Sequence, residues 1–426
     1  MTKAAIEAAS KAEQTGAFAR FCAAVGLANL GDGIAVVAWA WTASLLTRDP
    51  LWIAVLPAAL RVPWVLFALP SGLLADRMDR QRLIVVCDLI RAAAYGIAGG
   101  ALFLSLPLPA TGGSDTDTLF TSLLWLGLLI GCAEVARDNA AQSMLPAIVP
   151  RERLERANGL LGSIETVGNE MAGPAVGAFL MTLFLPSPFL VVALAFLLAA
   201  LLTRSVSGTF KPPSQTGRRR EWRAELIEGF CFVVHHSMLR VLVLITGVWT
   251  FFTQMALIAL VLHVQENLNA GATTYGLILA VGAIGGVVGG IAVAPLRRSL
   301  PPGMLAQRMN MVAAPMFLLI AVAPWPATVA AAMFIFYFSG IVWNTLSISY
   351  RQRVVPDEIR GRVNSVYRLF AWGMMPLGLV ASGGIVTLTE DLFGRETALT
   401  MPFLVAALGV LILATLSWRP LGRGFQ

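Results

Sequence analysis

The chain has 426 residues and a formal net charge of +7; 57% of its residues are hydrophobic and only 13% are charged. A water-soluble domain cannot carry that balance on its surface, so composition excludes soluble enzymes and binding modules and points to an integral membrane protein.

Residues 1–17 are polar and carry no small-residue cleavage site, so no removable signal peptide is expected and the first apolar segment itself directs insertion. A bilayer-spanning helix needs roughly 20 mostly apolar residues. In chain order, twelve such segments fall at roughly 18–46, 50–75, 83–108, 119–146, 157–183, 187–205, 237–262, 273–296, 303–323, 327–350, 362–388 and 398–418. After the sixth comes the only long polar segment inside the chain, roughly 206–225, with Lys211, Pro212, Pro213 and the cluster Arg218 to Arg220. It reads as a cytoplasmic linker between residues 1–205 and 226–426, and its basic cluster suits contact with anionic lipid headgroups.

Two stretches say the same thing twice: VPRERLERAN from Val149 to Asn158 and VPDEIRGRVN from Val355 to Asn364, 206 positions apart (355 − 149). Each lies between two long apolar segments, which makes Arg156 equivalent to Arg362 and Asn158 to Asn364. Parallel repeats about an axis normal to the membrane are a known plan for transporters. The expected fold is an all-α membrane protein with twelve transmembrane helices in two six-helix pseudo-repeats.

Charge orients the bundle. With a cytoplasmic N-terminus, the inside loops hold Arg77, Arg80, Arg82, Arg151, Arg153, Arg156, Arg218 to Arg220, Arg223, Arg297, Arg298, Arg351, Arg353, Arg360 and Arg362, while the outside loops hold little beyond Arg48 and Arg395. Both termini are then cytoplasmic, and the net charge needs no nucleic acid to explain it.

A phosphate-binding P-loop needs a Gly-Lys pair, but the only lysines are Lys3, Lys11 and Lys211, and none follows a glycine. Direct ATP hydrolysis by this chain is excluded. The three histidines, His235, His236 and His263, have no metal-ligand spacing, and Cys22, Cys87, Cys132 and Cys231 form no CxxC pair. No metal, no cofactor and no enzymatic activity are expected, and a secondary transporter is left.

Ionisable groups at bilayer depth cost several kcal/mol unless they face water or a partner. Asp32, Glu134 and Glu165 qualify, with Arg61 and Arg137 as basic counterparts. Glu134, Asp138 and Gln142 share a helical face, and Arg137 lies three residues from Glu134, close enough for an ion pair. Desolvation favours the protonated acid and an approaching arginine the ionised one, so Asp32, Glu134 and Glu165 are the candidates for proton coupling. A purely structural ion pair is the competing reading.

GLLADRMDRQR, from Gly72 to Arg82, resembles the signature loop of the major facilitator superfamily: a glycine, an Asp-Arg pair, then further basic residues. The corresponding loop of the second half, near Gly290 to Arg298, keeps glycine and arginine but no acid. The resemblance implies the major facilitator fold, and a latch on the cytoplasmic side formed by Gly72, Asp76, Arg77 and Arg80. NEMAGPAVGA, from Asn169 to Ala178, is similar to the glycine-proline motif of the proton-antiporting exporters, with alanine where the last glycine usually stands; its residues are Asn169, Gly173, Pro174 and Gly177. The competing reading is a stripe of small residues that only packs against a neighbouring helix. The run from Met144 to Gly177, with MLPAIVP, ERAN and GPAVG in order, resembles the branch of siderophore exporters and macrolide efflux proteins, the transmembrane secretion effectors.

By analogy with the superfamily, Trp249, Phe252, Trp343 and Trp372 fall in helices that line the substrate cavity; Trp39 shares a face with Asp32, and Arg61 and Arg137 supply cavity charge. Such a lining suits a bulky amphipathic or cationic ligand. The expected protein is a monomeric, proton-driven exporter of a small amphipathic molecule in the inner or plasma membrane, with protons and membrane lipids as its other partners. A proton-coupled importer is the alternative within the class, and a non-transporting membrane sensor or assembly protein the alternative outside it. Reporter fusions after Lys211 and after Asp115 are expected to report opposite sides, cytoplasmic and external respectively; the same side for both would overturn this topology.

Overall fold

Long apolar runs can satisfy their backbone only as helices when no water is at hand, and the computed structural model of the protein is built that way. It describes residues 3–67, 71, 74, 78–108, 114–150, 153–208, 210–211 and 222–425, which contain no strand. In chain order the helices are α1 (Lys3–Leu46), α2 (Pro50–Leu66), α3 (Arg80–Leu104), α4 (Ser114–Ile148), α5 (Leu154–Thr166), α6 (Gly173–Leu183) and α7 (Ser187–Arg204), then α8 (Trp222–His235), α9 (Ser237–Leu262), α10 (Ala272–Ser299), α11 (Pro302–Val322), α12 (Pro326–Val354), α13 (Asp357–Phe393), α14 (Arg395–Ala398) and α15 (Met401–Gly424).

Among the described residues, ten helices are long and apolar enough to cross a membrane. The two expected spans not among them are the shorter apolar helix α2 and the stretch from α5 to α6. In the latter, α5 is rich in polar residues, and Val167–Ala172 between the two helices winds as a π-helix. A single π turn inside a helix widens it and commonly marks a functional position.

By packing, the chain divides into two compact units: Met1–Trp39 with Val62–Thr216, and Ala40–Arg61 with Gly217–Gln426. A division along the sequence alone would have kept Ala40–Arg61 with the first. In the first unit α3 packs on α4 and α7, and its core includes Phe21, Ile84, Ala140 and Met144. Val206 and Phe210, the first apolar residues of the expected linker, are also buried in that core. In the second unit α10 packs on α12, α11 on α12 and α15, and α9 on α13 and α15, around Leu239, Leu305, Val342 and Val363.

The duplicated turn repeats its backbone geometry. The amide of Val149 donates to the Leu145 carbonyl at 3.1 Å and that of Val355 to Arg351 at 3.0 Å; Arg153 then donates to Pro150 at 3.0 Å and Ile359 to Pro356 at 3.2 Å. Each proline closes one helix and opens the next, because it lacks the donor that would continue the first. At the other end of α13, Gly394 (φ 79°) makes the reversal into α14, a backbone conformation that side chains disfavour.

A close helix crossing lies in the first unit, where α1 meets the π segment and α6. A Cβ on Gly33 would strike the carbonyl oxygen of Gly168 and come within 2.9 Å of the Gly173 Cα, and one on Gly177 would come within 2.7 Å of the Ile34 carbonyl oxygen. Gly33→Val is therefore expected to cost about 1–3 kcal/mol, at the upper end because the obstacles are backbone atoms. Gly100→Ala, where a Cβ meets nothing within 4 Å, should leave stability unchanged or slightly raised. Thermal unfolding of the two detergent-solubilised variants checks this, and equal stability would overturn the crossing.

Candidate functional site

A guanidinium in a membrane-embedded bundle must find a carboxylate, because neither water nor lipid tails can solvate it there. The first unit holds two such guanidiniums on neighbouring helices, with Asp88 and Arg91 on α3 and Glu134 and Arg137 on α4. Both pairs are spaced three residues apart, so each pair lies on one helix face. The acid precedes the base on both helices, and this order lets the two helices answer each other in two rungs. Arg137 Nε meets Asp88 Oδ1 at 3.2 Å, and Arg91 Nη2 lies 3.7 Å from Glu134 Oε2.

Each rung has an outer partner. Asp32 of α1 forms a close ion pair with Arg91 Nη2, and Asp138 holds Arg137 Nη1 at 3.1 Å. Trp64 of α2 donates its indole N–H to Glu134 Oε1 at 3.2 Å. The Arg91 guanidinium lies over the Phe196 ring of α7, 3.8 Å from its centroid. Asp88 and Arg91 are fully buried, Arg137 is 2% exposed, and Asp32 and Glu134 are 8% and 7% exposed.

The expected pairing of Arg137 with Glu134 within α4 is replaced by this cross-helix arrangement: Arg137 turns to Asp88 and Asp138, and Glu134 faces Arg91. Side chains three apart on one helix are free to pair only when no neighbouring helix offers a better partner. Asp88 and Arg91 were missed as site residues although their spacing within the span 83–108 was readable; they sit near the end that carries the basic loop. Glu165 on α5 is half-buried.

The glycine-proline stripe lies beside the ladder. Gly173 and Gly177 contact α1 at Gly33 and Ile34, and Asn169 Nδ2 donates to Asn29 Oδ1 at 2.9 Å. Pro174 is the second residue of α6, directly after the π segment, and has no N–H to donate there. The stripe thus packs closely on the helix that carries Asp32.

Of the expected latch, Gly72, Asp76 and Arg77 lie outside the described residues. Arg80 is described at the start of α3, where its amide donates to the Phe210 carbonyl at 3.3 Å. Next to it Gln81 Nε2 donates to the carbonyls of Thr203 and Val206 at 2.8 and 2.7 Å, so the start of α3 is tied to the end of α7.

The expected cavity residues separate. Trp39 is fully buried, edge-on to Tyr95 and Phe189, with centroids at 6.5 and 5.6 Å; it fills the core and lines no open space. Arg137 belongs to the ladder. Trp343 is buried in the core of the second unit. In that unit Trp249 is half-buried and stacks on Phe336 at 5.7 Å, and Phe252 is half-buried beside Phe251. Arg61, near the end of the α1–α2 hairpin that belongs to that unit, is half-buried too.

A second charged group, in the second unit, went unread in the sequence. Arg395 binds both carboxylate oxygens of Glu266, at 2.9 and 3.1 Å, also meets Glu390 at 3.0 Å, and donates to the Arg48 carbonyl at 2.7 Å. Arg48 itself reaches Gln265 at 2.9 Å, and Gln265 reaches Ser44 at 2.7 Å. Arg48, Gln265, Glu266, Glu390 and Arg395 line a cavity of about 960 Å³. They also explain why Ala40–Arg61 counts with the second unit, since the hairpin is bonded to it.

Comparison with known proteins adds the following. A family model described as transmembrane secretion effector matches residues 12–420. The multidrug efflux pump Tap of Mycobacterium tuberculosis is 26% identical over 394 residues, covering 90% of each chain. The enterobactin exporter EntS of Escherichia coli is 23% identical over 346 residues, covering 81% of this chain and 79% of that one. Among solved structures, a bacterial homologue of the human lysosomal transporter Spinster superposes with a TM-score of 0.72 at 15% identity, over 97% of this chain and 98% of that one. The nucleoside transporter NupG gives 0.66 at 13% identity, over 96% and 99%.

If the Asp88–Arg137 rung holds the helices together, Arg137→Leu strands Asp88 and is expected to cost about 3–5 kcal/mol, while the double variant Asp88→Leu with Arg137→Leu recovers part of that loss. Thermal unfolding of the single and double variants measures the coupling, and strictly additive effects would show that the rung contributes none.

Proposed function

Because the chain belongs to the transmembrane secretion effector family of major facilitator transporters, we propose that it is a secondary active exporter of small amphipathic molecules, driven by proton entry. Two relatives matched over most of their length, a multidrug efflux pump and an enterobactin exporter, support export. The observation that supports proton antiport is the buried ladder, in which Asp32, Glu134, Asp88 and Asp138 gather around Arg91 and Arg137. A carboxylate there can bind and release a proton, and access from one side and then the other turns that exchange into work.

In this reading the ten long helices, α2, and the stretch Leu154–Leu183 make twelve spans in two sets of six joined by the linker 206–225, with both termini cytoplasmic, in the inner or plasma membrane. The halves 1–205 and 226–426 move against each other during transport, and the chain works as a monomer. Asp32 and Glu134 carry the proton, with Glu165 as the remaining candidate. Asp76 with Arg77 and Arg80 latches the cytoplasmic side, and Asn169, Gly173, Pro174 and Gly177 keep α1 closely packed against the helix that bears them. Trp249 and Phe252 offer aromatic faces to the substrate.

One charge crossing about 100 mV gains roughly 2.3 kcal/mol, and about 1.4 kcal/mol sustains a tenfold gradient, so one proton supports an uphill gradient of some tens-fold. In vesicles of known orientation with an imposed pH gradient, wild-type protein is expected to move a dye substrate outward against its gradient. Asp32→Asn and Glu134→Gln should abolish uphill movement and leave downhill exchange measurable. Inward accumulation would favour the importer, no movement of any substrate the sensor, and uphill export retained in both variants and in Glu165→Gln would remove all three acids from coupling.

A further inference from the structure

Helix α8 (Trp222–His235) precedes a segment, Ser237–Asn267, that is by itself long and apolar enough to cross a membrane. Those 31 residues rise roughly 45 Å at 1.5 Å per residue, and a bilayer with its headgroup regions is about 40–45 Å thick. The span therefore fills the bilayer, and α8 meets it at the level of the headgroups. Between the two, His236 has an extended backbone (φ −93°, ψ 106°), so α8 is not the straight continuation of α9.

The rotation of α8 about its own axis is fixed from one side. Val233 is buried in the core of the second unit. A Cβ on Gly229 would come within 2.8 Å of the Arg362 backbone near the start of α13, and Glu228 forms a close ion pair with Arg362. The other face carries Ile227, Phe230, Cys231 and Val234, three and four residues apart. All four are exposed, Ile227 at 60%, Phe230 at 46% and Val234 at 37%. In water this stripe forfeits the burial of three large apolar side chains, whereas lipid covers it. Beside it Arg240, itself exposed, donates one nitrogen to the Val234 carbonyl at 3.3 Å, which sets a guanidinium where lipid phosphates lie. The cluster Arg218 to Arg220 comes just before α8 in the sequence.

We propose that α8 lies in the plane of the membrane surface, with Ile227, Phe230, Cys231 and Val234 sunk into the boundary between headgroups and acyl chains and Arg240 on lipid phosphate. The partner of this face is the lipid surface itself. Of the reading above, the inference takes only that α9 spans the bilayer; it is independent of substrate and of proton coupling.

Cys231 is an exposed cysteine on the stripe itself, so a nitroxide spin label attached there reports the depth of α8 directly. The full-length protein, with Cys22, Cys87 and Cys132 replaced by alanine, is placed in lipid nanodiscs of phosphatidylglycerol and phosphatidylcholine. Electron paramagnetic resonance then measures collisions of the label with oxygen, which concentrates among acyl chains, and with a water-soluble nickel chelate. The label is expected to favour oxygen, at a depth shallower than the same label on Leu244→Cys, an exposed residue further into α9. Ile227→Asp charges the stripe without touching the face that packs on α13, and should raise nickel collisions at Cys231 by about fivefold. If the alanine background does not fold, brief labelling of the wild type reaches Cys231 first, because the other three cysteines are buried or half-buried. A Cys231 label as open to nickel as one in water overturns the proposal, since α8 would then stand clear of the membrane. So does a depth equal to that at Leu244, which would make α8 part of the span, and so does shielding from both reagents, which would mean that protein covers the stripe. The expected depths together with no export of any dye would overturn the transport reading and leave α8 at the surface.

Discussion

Everything in the first unit is arranged around the problem of placing two guanidiniums where water is scarce. Arg91 and Arg137 cannot be solvated by the apolar faces of α3, α4 and α7, so carboxylates must come from other helices, and α1 is held close enough to deliver Asp32. That requirement fixes helix rotation as well as helix distance: a turn of α4 by one residue would carry Glu134 away from Arg91 and Trp64. Hydrophobic packing alone would tolerate such a slip, because lipid tails are as apolar as the helix faces they touch. The ladder therefore specifies register where burial of apolar surface cannot.

The glycines of α1, the π segment and α6 serve the same end by steric means. Backbone contact at Gly33, Gly168 and Gly173 removes the gap that side chains would hold open and fixes the approach of the helix that bears Asp32, one residue away. Among the described contacts, the residues of the glycine-proline motif act as a packing stripe against α1. Close packing is what the residues do directly; positioning an acid is what the packing achieves.

The second unit solves a different problem. Its interior is aromatic and aliphatic, with Trp249 stacked on Phe336 and Phe317 against the same ring, and its main charge group is gathered around Arg395 at the ends of helices. Arg395 and Glu266 are about a quarter exposed, so their bonds are partly hydrated and easier to break than those of the ladder. The first unit is thus charged in its interior and the second aromatic.

The amino-acid sequence by itself determined the class of protein, the positions of nearly all the long helices, the duplicated turn at Val149 and Val355, and the family, because apolar length, arginine placement and local motifs are one-dimensional signals. It also marked Asp32, Glu134 and Arg137 as costly residues that require partners. Which partners they take was decided only by tertiary structure. Spacing within α4 favoured Glu134 with Arg137, yet the neighbouring face of α3 presents Asp88 and Arg91 in the complementary order, and a cross-helix pair fixes two helices at once where an intrahelical pair fixes none. Trp39 reads on paper as a cavity residue because it shares a face with Asp32; packing against Tyr95 and Phe189 takes it into the core. The grouping of Ala40–Arg61 with the second unit was likewise invisible, since it depends on Arg48, Glu266 and Arg395, residues separated by hundreds of positions whose meeting no local pattern encodes.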